Sequence, residues 1–145
     1  MSIEGAQPGG RRYIITVGTT THTYAPDLDR PEIVQSINAI GQFFRDYLGY
    51  EQVDGFGLNL TRDALRYKLR SFALAPEREP DDYVVLYISG NSELVNDDLI
   101  LLTVDTDVSD LVVTAVRIDE LVRLLLEGTN LRKVLFIDVF PTTFT

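Results

Sequence analysis

Hydrophobic positions along the chain alternate between two rhythms. Short β-branched runs recur with stretches whose apolar residues return every three or four positions. Tyr13-Ile14-Ile15-Thr16-Val17 reads as a buried strand that ends at Gly18 in a Thr-rich loop. A helix follows, its start marked by Asp29 and Pro31, with Ile33, Ile37, Ile40, Phe44 and Leu48 on one stripe and Gly49 as its stop. Tyr50 to Leu58 is a weaker alternating strand, interrupted by Gly55 and Gly57 and therefore placed near a sheet edge. Thr61 is placed as the N-cap of a second helix carrying Leu65, Leu69 and Phe72, and Pro76 to Pro80 is a charged loop.

Tyr83 to Ile88 is apolar on both faces, which predicts a central strand stopping at Ser89-Gly90. Leu99 to Val104 predicts another short strand, followed by an acidic turn. Ile118, Leu121, Val122 and Leu125 mark a third helix ended by Gly128, and Val134 to Ile137 a last buried strand leading to Asp138. The series predicts an α/β fold: a mostly parallel sheet with helices on both faces. Residues 1–11 read as a flexible lead-in and 12–145 as one domain.

Composition narrows the function classes. Hydrophobic residues are 45% and charged residues 24%, an ordinary globular balance. The net charge of −9 disfavours phosphate backbones and anionic lipid surfaces, so neither nucleic acid nor membrane is an expected partner. The one basic cluster, Arg66, Lys68 and Arg70, lies along the second helix and reads as a solvated face. No apolar run has the length of a membrane span and no secretory leader is visible, so the expected location is cytoplasmic. There is no cysteine, which removes thiolate chemistry and Cys-type zinc sites.

In a parallel sheet, chemistry gathers in the loops after the carboxyl ends of the strands. Here those are Thr19 to Tyr24, Ser89 to Asp97 and the segment from Asp138. The ordered pieces Asp81-Asp82, the Tyr83 to Ile88 strand with Ser89-Gly90, Leu101 to Asp107, Glu120 to Leu126, and Lys133 to Asp138 resemble the caspase and metacaspase family over roughly residues 12 to 140. The resemblance implies a cysteine endopeptidase in which a histidine follows Ser-Gly and a cysteine follows Asp-x. At those two positions this chain has Asn91 and Phe140. An Asn amide exchanges no proton near neutral pH and a phenyl ring is no nucleophile, so no intact catalytic pair is expected.

Ser89, Gly90, Ser92 (where the family usually has Gly), Asp138 and the sole histidine, His22, are the candidate remnants of a cleft. A lone histidine in such a loop reads first as a surface residue, and a rebuilt Ser–His site using Ser89, Ser92 or Thr142 is the minor alternative. Asn96, Asp97, Asp98, Asp105, Asp107 and Asp110 match no EF-hand spacing and read as solvated turns, so neither metal nor other cofactor is expected.

The resemblance further implies that the family domain continues beyond the cysteine position, so 12–145 corresponds to its large-subunit portion. The strand at 134–140 would then be an edge, open to a second copy or another protein. The tail, Pro141 to Thr145, no longer resembles the family. The reading that results is a catalytically inactive caspase-like domain, either a protein-interaction or regulatory module or a truncated relative of the family. The alternatives are a caspase-family peptidase that needs a complementing chain, and a small-molecule-binding α/β domain using the same sheet edge.

Overall fold

A computed structural model of the chain describes residues 10–127 and 132–142. It has a seven-stranded sheet, mostly parallel, with helices on both faces. The central strand is β4 (Tyr83–Val95). β1 (Arg12–Gly18) lies parallel on one flank, from Arg12 opposite Tyr83 to Gly18 opposite Ser89. β7 (Arg132–Pro141) lies parallel on the other, from Arg132 opposite Tyr83 to Pro141 opposite Ser92. The short strands β2 (Glu51–Gln52) and β3 (Gly57–Leu58) pair with the outer side of β1, as the glycine-broken segment predicts.

Alternation along the strands sorts the side chains into two layers. Tyr13, Ile15 and Val17 of β1 face one way with Val84, Leu86 and Ile88 of β4. They meet Leu65, Leu69 and Phe72 of α2 (Arg62–Leu74) and Ile118, Leu121 and Leu125 of α4 (Ile118–Leu126). The opposite face carries Tyr87 against Ile33 and Ile37 of α1 (Ile33–Gln42), with Ile40 and Phe140 at the rim. Close docking of α1 depends on Gly18: a β-carbon there would lie 2.7 Å from Ile37 Cγ1. Thr61 caps α2 by accepting from the Ala64 N–H at 3.1 Å. Arg66 of the predicted basic face pairs with Glu120 of α4 at 2.7 Å, and Arg70 with Glu127 at 3.1 Å.

Several expectations are corrected. β4 does not stop at Ser89-Gly90 but runs on to Val95, because Ser89 to Ser92 stay paired with β7. Beyond them, Ser92 to Val95 form a hairpin with β5 (Asp98–Leu101). Its turn is Asn96-Asp97, both at positive φ (51° and 68°), the left-handed pair that fits the twist of a two-residue hairpin. Asn96 and Asp97 are thus turn residues, in agreement with the sequence reading. The strand predicted over Leu99 to Val104 ends at Leu101, and α3 (Leu111–Thr114) and β6 (Val116–Arg117, paired with β5) interrupt what reads as plain loop.

The first helix closes in a π-helical turn, Phe43–Tyr47. The wider turn rotates the apolar stripe, and Leu48 ends exposed instead of buried. Gly49 follows at φ 73°. β7 is not buried. It is the outermost strand, paired only with β4 among the described residues, with Phe136 48% and Ile137 40% exposed. Of the predicted lead-in, residues 1–9 lie outside the described residues, as does Gly128. Gly10 and Arg11 are hydrogen-bonded to Asp81 and Asp82.

Candidate functional site

The parallel register sets Asn91 of β4 directly opposite Phe140 of β7. Two residues that share no sequence neighbourhood thus sit side by side, because both strands run the same way and reach the same end of the sheet. The third contributor is the loop after β1. Thr20 and Thr21 donate their backbone N–H groups to the Asn59 Oδ1 at 2.8 and 3.2 Å, with Asn59 itself at φ 61°. Thr23 N–H donates to the Val104 carbonyl, and Arg30 N–H to the Thr20 carbonyl at 2.8 Å. The loop is thereby folded back over the strand ends.

Asn91 is fully buried, and all its polar capacity toward this loop is used. Its Nδ2 donates to the Leu28 carbonyl at 2.7 Å and lies 3.0 Å from His22 Nε2, while its Oδ1 accepts from Arg30 Nε at 2.7 Å. A carbonyl only accepts and a guanidinium only donates, so these two partners fix which end of the amide is which. The second Nδ2 proton is then left for His22 Nε2, which must accept it. His22 is accordingly neutral, with its proton on Nδ1. The guanidinium of Arg30, after bonding Asn91, lies over the Phe140 ring at 4.3 Å from its centroid, so one side chain spans both positions.

His22 is buried, contrary to the surface reading of the sequence. Burial holds its imidazole below the ordinary histidine value of 6.5, against the raising effects of the Thr103 backbone and the Asp29 carboxylate. Its Nδ1 has no partner of full hydrogen-bond geometry, although the Thr103 backbone is close enough to favour the charged ring. Asp29 does not cap the first helix; its carboxylate accepts the His22 backbone N–H at 2.8 Å.

The other candidates scatter. Ser89 is buried on the same face as Asn91 and its hydroxyl lacks a partner of good geometry. Gly90 and Ser92 are strand residues rather than a turn, and Ser92, one step from Asn91, points to the opposite face. Thr142 donates its hydroxyl to the Ser92 carbonyl at 3.0 Å or to Glu93 at 2.9 Å, not to His22. Asp138 lies within β7 and accepts from Tyr87 Oη at 2.8 Å; burial, then this carboxylate, raises the Tyr87 phenol above its usual value. His22 hydrogen-bonds no hydroxyl among the described residues, so no Ser–His pair is formed.

Asp105 accepts from Thr103 Oγ1 and the Arg62 N–H, and Asp107 caps the turn at Ser109, which lowers its pKa. Among the described residues no three His, Asp or Glu side chains group to hold a cation. Sequence reasoning could not place Arg30 and missed the Leu28 carbonyl. Nothing in Asp29-Arg30-Pro31 signals a partner 61 residues away.

Two strand ends and one folded-back loop at the carboxyl edge of a mostly parallel sheet define an α/β protein of the kind that places its chemistry there. The family is shown directly: residues 14–139 match the caspase domain of the C14 peptidases, and the chain belongs to that family. No curated protein matches the chain. Within the family, this chain has no cysteine and carries Asn91 and Phe140 where the resemblance puts the catalytic pair.

Proposed function

We propose that this caspase domain is not a peptidase and works by binding another polypeptide through the outer edge of β7. The observation that carries the first half is Arg30. Its guanidinium bonds Asn91 and covers Phe140, so the place a histidine and a cysteine would share is occupied by an amide, a phenyl ring and a fixed cation. None of these supplies a nucleophile or exchanges a proton near neutral pH.

The second half is supported by the sheet edge. β7 has no strand on its outer side among the described residues, and Phe136 and Ile137 are exposed beside its unpaired backbone groups. An exposed apolar strand edge is a template for another strand, and a second copy is the simplest occupant. Sedimentation equilibrium over a wide concentration range tests this. The expected result is a dimer that Ile137→Lys converts to monomer without loss of the fold. A wild-type chain that stays monomeric at the highest concentration contradicts it.

A further inference from the structure

We propose that His22 and Asn91 form an acid-sensitive latch that holds the loop segment from His22 to Arg30 over the strand ends at Asn91 and Phe140. The latch closes only when His22 is neutral. Nε2 must accept from Asn91 Nδ2, and that amide cannot turn over to offer oxygen instead. Turning it would set Oδ1 against the Leu28 carbonyl and Nδ2 against Arg30 Nε, placing acceptor on acceptor and donor on donor. A protonated ring therefore meets a donor it cannot displace, in a buried place.

The groups around the ring come from three directions. From β4 it meets Asn91. From the segment after β5 it meets Thr103, whose hydroxyl donates to Asp105. From its own loop come Asp29, held on the His22 backbone N–H, and Arg30, one amide away and 3.7 Å from Glu32. Burial opposes the charged ring, while the Thr103 backbone and Asp29 favour it. The balance lowers the pKa, in the direction the geometry requires.

The sign follows from linkage. An open loop, with His22 in water, binds a proton more readily than the closed one. Opening is therefore promoted as pH falls below 6.5 and levels off below the lower, closed-state value. Within that window the open population rises about tenfold per pH unit. The loop base stays tied to Asn59 through Thr20 and Thr21, so the part that lifts is His22 to Arg30, and with it Arg30 leaves Phe140.

The chain's single histidine makes the test direct, since one imidazole signal reports the latch. Nitrogen-15 NMR of the whole chain reads tautomer and titration, and amide hydrogen exchange reads the loop. The expected results are an Nδ1–H tautomer at pH 7.5 and titration below 6.5. Exchange of the Thr23 and Arg30 amides, corrected for intrinsic rate, should accelerate on acidification by the factor above while the Ile14 and Leu86 amides do not respond. His22→Gln keeps an acceptor at every pH and should abolish that acceleration. An Nε2–H tautomer, titration at or above 6.5, or equal acceleration in His22→Gln overturns the latch. If His22→Gln does not fold, the wild-type tautomer and titration decide alone.

Discussion

Replacing Asn91 by leucine keeps the branched outline of a fully buried side chain while deleting three hydrogen bonds at once. The partners do not suffer equally. His22 Nε2 is buried and would face a methyl group, and the half-buried Leu28 carbonyl loses its 2.7 Å donor. Arg30, with a third of its side chain exposed, can recover its bond from water. Stranding a buried polar group costs about 1–3 kcal/mol, so two such groups, one of them only half-buried, give a loss of about 2–4 kcal/mol. For a domain of this length that corresponds to a fall in Tm of about 5–15 °C. Urea denaturation at pH 7.5 with an unchanged m-value measures it. Arg30→Met, which keeps an apolar contact with Phe140, should cost only about 0.5–1.5 kcal/mol by the same reasoning. If Asn91→Leu unfolds within 0.5 kcal/mol of wild type on the order of ordinary surface changes, the network is not holding the loop and the description of the site fails.

Other predictions rest on separate features. Thr61→Ala removes the cap on Ala64 N–H and should lower stability by about 1 kcal/mol in the same denaturation assay, with Thr61→Ser restoring it. Arg78 lies over the Tyr13 and Phe72 rings (4.5 and 4.0 Å) and bonds the Tyr13 hydroxyl and the Phe72 carbonyl, with the exposed Glu77 carboxylate 3.7 Å away. Arg78→Met should cost about 2–3 kcal/mol, little changed by added salt because its ring and hydrogen-bond partners are neutral and only the exposed Glu77 contact is screened. Gly18→Ala should destabilise by about 1–3 kcal/mol, and combining it with Ile37→Ala, which removes both crowded atoms, Cγ1 and Cδ1, should cost less than the sum of the two single changes.

The alternation of strand and helix was legible because each periodic run buries one face against the sheet. The stripes of Ile33 and Ile37, and of Leu65, Leu69 and Phe72, sit where their spacing puts them. What could not be read was anything decided by pairing across the sheet. β4 continues past Ser89-Gly90 because β7 and β5 are there to bond it, and a turn-like dipeptide yields to those partners. Asn96-Asp97 did carry a hairpin signal, obscured by reading it among acidic residues. The apolar residues of β7 read as buried, whereas the edge position that the resemblance implied leaves Phe136 and Ile137 half exposed.

At the site, Asn91 and Phe140 were found through family resemblance, and register then showed them to be neighbours. Burial of His22 had no local signal, since its partners Asn91, Asp29 and Thr103 lie on three separated segments. Arg30 escaped for the same reason. A long cation in a loop reads as solvated until the fold lays it along a ring.

The central claim is that no peptide-bond chemistry runs at the Asn91–Phe140 position. The most direct measurement is hydrolysis of fluorogenic peptides with acidic and with basic P1 residues by the purified chain, at concentrations where its sedimentation state is known. The predicted result is no turnover above buffer, unchanged by Ser89→Ala or Ser92→Ala. Turnover that rises with protein concentration and is lost in Ser89→Ala, Ser92→Ala or His22→Gln would contradict it.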